Sequence, residues 1–263
     1  MSFPDRMKDL LNYRPFTDEV TLLDSQNLGR YVAREMYGVD SDDILIDEPF
    51  ASGNSNVAGH KLMLKDGTSK TYYVKEEEDC YVTGAFQEAV GITLNNLLTG
   101  EDRNFLMLVN KLDLLDNFIN VVIMDEVPGT TFNVNYDFLT EISYSMGRAF
   151  ESAKILNLAD RRSPNMLIDD NLVIRNIDFG ALFWAGWDDR TGKQLVKNSG
   201  YSEEEFEKGR LDAREEMRVN FKTNEELIRD LANWAYDGLL RSELFETISP
   251  FDYIKQKLEG EIN

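Results

Sequence analysis

The chain has one cysteine, Cys80, and one histidine, His60. A single thiol closes no disulfide within the chain, which suits a reducing compartment. A single imidazole argues against a zinc site built on histidines and against a Ser-His-Asp triad. Positive charge is also scarce. Lys and Arg total 28 against 48 Asp and Glu, for a formal net charge of −20. Such a surface repels phosphate backbones and anionic lipid, so nucleic acid is not expected as a main partner. The charge itself implies solubility, or else a basic partner or a salty habitat. No stretch approaches the roughly 18–20 apolar residues of a membrane span. The start, Met1 to Arg6, lacks the apolar run of a signal peptide. A cytoplasmic protein is expected, although a leaderless exported effector would read the same way. There is no repeat and no low-complexity linker.

What is present suffices for a core. Of 263 residues, 42% are hydrophobic and 11% aromatic. That fits one large domain or two lobes. Helical spacing runs over residues 5–12 and 22–37, where Leu22, Leu23, Leu28, Tyr31, Val32 and Met36 can share a face. Strand-like runs follow at 44–46, 60–64 and 71–75, with a hairpin turn predicted at 65–68. A helix is expected over 84–98, then strands at 106–109 and 121–124, stopped by Pro128-Gly129. A long helix reads over 136–158, with Phe138, Ile142, Met146, Ala149, Phe150 and Ala153 apolar. Two short β-type runs, 166–168 and 172–174, flank Asp169-Asp170-Asn171, which reads as a solvated turn. Helices fill the chain from about 202, and Glu203-Glu204-Glu205 reads as a helix start. Strands crowd the first half and helices the second, which is an α+β pattern in two lobes. The expected division is 1–127, with a helical extension over 1–40, and 128–263.

The segment richest in chemistry runs from Leu158 to Gly180. Asp160 and Asn165 lie five apart, and Asp178 follows after the small hairpin. A strand pair brings its two ends together, so Asn165 and Asp178 can converge on one point. An amide oxygen and a carboxylate are hard ligands suited to Mg²⁺. Asp160, one loop away, can orient or deprotonate an acceptor hydroxyl.

This segment resembles the catalytic and metal-binding loops of the protein-kinase-like superfamily, with their H-R-D-L-x-x-x-N and D-F-G signatures. The Asp160-to-Asn165 spacing matches, and Asp178-Phe179-Gly180 matches literally. The form Asp-Arg-x-x-x-Asn is more similar to the phosphoinositide-kinase-like and other atypical branches. The resemblance spans about residues 43–185 and implies a two-lobed fold with a β-rich N-lobe and a helical C-lobe. It also implies ATP with Mg²⁺ or Mn²⁺. Lys75 takes the place of the strand lysine on the nucleotide phosphates, and Glu88 that of its helix partner. Glu126 and Val127 fall where backbone groups receive adenine, and Met124 at the back of that pocket. Gly53 to Gly59 takes the place of the glycine-rich loop, with Ser55 among its hydroxyls. Arg162 stands where a cation steadies the transferring phosphoryl group.

The sequence departs from the signature in three places. Leu158 and Ala159 replace the usual His-Arg, the loop has only Gly53 and Gly59, and no Ala-Pro-Glu follows Asp178. The expected activity is that of an atypical kinase, with a protein Ser/Thr as default acceptor. The alternatives are a lipid or small-molecule acceptor, AMP transfer, and a non-catalytic pseudokinase module.

Overall fold

The structure is a computed structural model. It describes residues 5–15, 25–51, 57–76, 84–112, 117–132, 139–158, 165–180, 182–183, 202–237 and 247–260. The chain is α+β and divides into two compact units. One holds residues 1–89 and 103–126, the other 90–102 and 127–263. The chain passes from one unit to the other three times: between Ala89 and Val90 inside a helix, between Asp102 and Arg103, and between Glu126 and Val127. No helix among the described residues is long and apolar enough to cross a membrane.

The first unit is built on a six-stranded mixed sheet in the order β1-β5-β6-β4-β3-β2. Its strands are β1 (Tyr13–Pro15), β2 (Ile44–Ala51), β3 (Val57–Leu64), β4 (Ser69–Glu76), β5 (Phe105–Leu112) and β6 (Asn117–Asp125). Helices α1 (Asp5–Leu10) and α2 (Ser25–Tyr37) precede the main strands. Helical spacing puts Leu28, Tyr31 and Val32 of α2 on one stripe. That stripe packs on Leu62, Tyr72, Val74, Leu106 and Ile123, one face of the sheet. Each such buried aliphatic side chain contributes about 1.5–3 kcal/mol. Because strand side chains alternate, Thr71, Tyr73 and Lys75 point to the opposite face.

Polar groups inside this core are paired. His60 stacks on Tyr72 with centroids 4.8 Å apart and meets Asp47 at 3.3 Å. Tyr72 donates its hydroxyl to the other Asp47 oxygen at 3.0 Å. Burial, then the Asp47 charge, pushes the Tyr72 phenol far above its ordinary pKa. The lone histidine is thus a packing residue of the sheet. The β3–β4 turn forms where predicted. Gly67 takes φ 85°, and Asp66 accepts from the Thr68 N–H and hydroxyl at 2.8 and 2.7 Å.

The second unit holds most of α3 (Ala85–Thr99), then α4 (Leu139–Ile155), α5 (Glu203–Asp237) and α6 (Pro250–Glu259). A small sheet, in the order β7-β8-β9, joins Thr130–Thr131, Met166–Ile168 and Ile174–Asn176. Ile142, Met146 and Phe150 of α4 bury Met166, Ile168 and Ile174. Helices α4 and α5 meet backbone to backbone at Gly147 and Gly209, where any Cβ would collide with a facing carbonyl. Next to that crossing, buried Glu151 accepts from Arg210 at 2.8 Å and from Arg214. Helix α5 begins at an N-cap, Ser202, whose hydroxyl accepts from Glu205 N. Its run of three glutamates lies in the first turn, where the helix dipole favours carboxylates.

Several expectations change. Tyr13–Pro15 reads as no element in the sequence, yet it pairs in parallel with β5. Thr130–Thr131 likewise gains its strand only by pairing with β8. The long helix stops at Ile155 rather than 158. Asn157 turns left-handed at φ 49°, and Leu158 N–H closes back on Ala153 O at 3.0 Å. The last strand begins at Ile174, not Leu172. The Asp169 carboxylate takes the N–H groups of Asn171 and Val173, both at 2.9 Å, and draws Leu172 into the turn at φ 61°. Leu22, Leu23 and Phe138 lie outside the described residues.

Candidate functional site

Strand β4 lies between β3 and β6, so Lys75 faces Val57 on one side and Val122 on the other. Helix α3 opens at Ala85 and carries Glu88 in its first turn, an end that stabilises a carboxylate. The structure brings these two residues together within the first unit. Lys75 Nζ lies 2.8 Å from Glu88 Oε2, with the side chains 11% and 2% exposed. A buried ion pair loses hydration that its Coulomb attraction only partly restores, so it is a weak source of stability. A fixed ammonium at a sheet face is well suited to hold an anion.

Asn165 and Asp178 sit at one end of the β8–β9 hairpin, within the second unit. The ladder pairs Met166 with Asn176, and Ile177 N–H extends it by donating to Asn165 O at 2.9 Å. Asp178 is therefore one residue past the partner of Asn165. Helix α4 fixes the hairpin from behind. Asn176 Nδ2 donates to Ala149 O at 2.7 Å and Ser152 Oγ at 2.9 Å, and Ile174 N–H donates to Ser145 Oγ at 2.6 Å. Asp178 adopts φ 60°, a left-handed conformation that costs an L-residue roughly 1–2 kcal/mol. Strain of this kind gathers at functional sites. Phe179 is buried, and its Cβ lies against Gly91 of α3, where a side chain would collide with it.

The donor set fits a hard divalent ion. Mg²⁺ is commonly held by one or two protein oxygens and completed by phosphates and water. Among the described residues no three His, Cys, Asp or Glu side chains gather as a self-sufficient metal cluster. The Asp169 carboxylate is taken up elsewhere, with Arg175 2.6 Å from its second oxygen. Burial would raise its pKa, but the hydrogen bonds from Arg175, Val173 and Asn171 outweigh that and lower it.

Of Glu126 and Val127, the two residues expected to receive adenine, Glu126 has its N–H committed. It donates to Thr71 O at 3.1 Å and to Asp125 Oδ1 at 3.0 Å, and that carboxylate oxygen also accepts from Tyr37 at 3.0 Å. The Val127 N–H makes no backbone hydrogen bond among the described residues.

Asp160, Arg162, Gly53 and Ser55 lie outside the described residues. Leu158, two residues before Asp160, is buried and bridges to Leu182 beyond the Asp-Phe-Gly motif. A cavity of about 490 Å³ in the second unit is lined by Tyr144, Arg148, Arg175 and Glu216 among others, and by none of the expected site residues.

Sequence reading missed Gly91 and Asn176. Gly91 left a signal, since a glycine inside a helix costs about 1 kcal/mol and marks a close approach. Asn176 left none, because its partners come from another helix. No protein-family model matches the chain, and a search among curated proteins finds no relative.

Proposed function

We propose that this chain is an ATP-dependent phosphotransferase of the atypical protein-kinase-like type, the first unit acting as N-lobe and the second as C-lobe. The observation that carries the reading is the buried Lys75–Glu88 pair, thirteen residues apart in sequence and joined at 2.8 Å. Lys75 binds the nucleotide phosphates, and Glu88 holds its ammonium in place. Asn165 and Asp178 would hold Mg²⁺, which neutralises charge on the phosphates when bound. Asp160 orients the acceptor hydroxyl and takes its proton. The acceptor oxygen bonds to the γ-phosphorus, the bond from that phosphorus to the bridging oxygen breaks, and ADP leaves. Arg162 steadies charge on the transferring group. Positioning and charge neutralisation supply most of the acceleration in this chemistry. A protein Ser/Thr is the proposed acceptor, and a reducing, cytoplasmic setting accords with the single cysteine.

One observation favours a second reading, a nucleotide-binding module without turnover. Buried Leu158 stands where the related enzymes place a polar residue. Mg-ATP melting shifts and ATP turnover separate the two readings. The phosphotransferase reading expects Asp178→Ala to lose the ATP-dependent shift. It expects Asp160→Ala to keep the shift and lose turnover. Stabilisation of the parent without turnover selects the module, and Asp160→Ala turning over as fast as the parent removes that residue from the mechanism.

A further inference from the structure

Helix α2 lies ahead of the stretch that resembles the kinase-like superfamily, so its residues take no role from that resemblance. Its last turn is nonetheless tied to the end of β6, within the first unit. Gly38, left-handed at φ 63°, ends the helix; its N–H returns to Arg34 O at 3.2 Å, and Val39 N–H to Ala33 O at 2.9 Å. That termination fixes Tyr37 as the last helical residue. The Tyr37 ring packs against the core between α2 and the sheet, and Lys70 Nζ stands 5.5 Å from its centroid.

The Tyr37 hydroxyl donates to Asp125 Oδ1 at 3.0 Å and lies 3.4 Å from Thr71 O. Asp125 is the last residue of β6. The Glu126 N–H uses the same two acceptors, Asp125 Oδ1 at 3.0 Å and Thr71 O at 3.1 Å. A second link runs alongside. Asn104 Nδ2 donates to Met36 O at 3.1 Å, and Asn104 O accepts from Asp125 N–H at 3.1 Å. Hydrogen bonds to a carboxylate are stronger than neutral ones. Burial, then the Asp125 charge, pushes the Tyr37 phenol far above its ordinary pKa, so the hydroxyl remains a donor at neutral pH.

We infer that Tyr37 is a positioning residue: through the Asp125 carboxylate it holds the Glu126 backbone in place for the base of the nucleotide. The inference rests on the phosphotransferase reading, in which Glu126 is one of two residues that receive adenine. Tyr37 itself touches no ligand. Without its hydroxyl, the Asp125 carboxylate keeps only the Glu126 N–H and is freer to turn toward water. The Glu126 peptide then loses its fixed direction. The phosphates, anchored at Lys75, do not sense the change. The N-terminal helix is thereby part of the site rather than an appendage to it.

Isothermal titration of the full chain with Mg-ATP and Mg-tripolyphosphate tests this, with the fold of each variant checked by melting. Tyr37→Phe keeps the ring and loses the donor. It is expected to weaken Mg-ATP about fivefold and leave Mg-tripolyphosphate unchanged. Fivefold is less than the full worth of a hydrogen bond to a charged group, because the tyrosine acts through another residue. Asp125→Asn keeps an acceptor oxygen and should retain Mg-ATP binding. Asp125→Ala should weaken it at least as much as Tyr37→Phe, and adding Tyr37→Phe to Asp125→Ala should weaken it no further. Unaltered Mg-ATP binding in Tyr37→Phe overturns the inference. So does equal weakening of both ligands, since Tyr37 would then serve the fold, and so do additive losses in the double variant, since Tyr37 would then not act through Asp125. A parent that binds both ligands equally tightly leaves Lys75 as phosphate anchor and removes the base contact that Tyr37 would support. A parent that binds neither ends the phosphotransferase reading itself.

Discussion

Lys75 and Glu88 hold opposite charges where an unpaired charge is strongly disfavoured. Removing one partner should therefore harm stability more than removing both. Lys75→Met alone leaves a buried carboxylate and is expected to cost about 3–5 kcal/mol. Lys75→Met combined with Glu88→Leu replaces the pair with apolar bulk and should recover most of that loss in urea denaturation. Nucleotide binding should stay lost in both variants. Recovery of binding along with stability would make the pair a structural brace only. Asp178 offers the opposite contrast. Glycine accepts φ 60° without steric penalty, so Asp178→Gly should hold or raise the melting temperature while metal-nucleotide binding disappears. A variant that both melts lower and still binds would show that the carboxylate serves the fold.

At the scale of elements, the β8–β9 hairpin is set by its turn and by α4. The Asp169 carboxylate is held below its ordinary range, the hydrogen bonds from Arg175 and two N–H groups outweighing the effect of burial. A lowered folded-state pKa adds stability above the unfolded value, about 3.9, and that stability is lost as pH falls through the folded value. The parent should therefore exceed Asp169→Asn in melting temperature from pH 5 to 7, with the gap closing below about pH 4. A gap that persists undiminished at pH 3 would assign it to the turn geometry rather than the charge.

The same hairpin shows what the sequence could reveal. The apolar triplets 166–168 and 172–174 marked a strand pair, because local patterning is written locally. Leu172 misled, since its place in the turn depends on where a carboxylate three residues earlier sends its lone pairs. Tyr13–Pro15 was illegible for a related reason, as three residues become a strand only through β5. Helix α3 and the Lys75 strand were legible from spacing, whereas Glu88 came from the resemblance.

For the whole molecule, the order of chemical groups along the chain was readable well before any distance. Lys75, Glu88, Asn165 and Asp178 each sit on a regular element or at its edge; periodicity and turn chemistry place those elements, and the resemblance singles out Lys75 and Glu88 on them. Gly59 reads in the sequence as the end of a glycine-rich loop, yet it lies inside β3, paired with Phe50 of β2, a relation that exists only across two strands in register. The helices from Ser202 onward have a clear physical task within their unit. Asn220 and Asn224 on α5 donate to the Leu98 and Leu97 carbonyls at 2.8 and 3.3 Å, satisfying acceptors that the end of α3 leaves open.

The central claim is that an amide and a carboxylate at one hairpin end take a divalent ion together with a nucleotide. The most direct measurement is a Mn²⁺ titration followed by electron paramagnetic resonance, with and without a non-hydrolysable ATP analogue. The account predicts that the parent removes the free-ion signal beyond what the analogue does alone, that Asn165→Ala weakens this uptake, and that Asp178→Ala abolishes it. Undiminished uptake of the Mn²⁺–analogue complex by Asp178→Ala would contradict it.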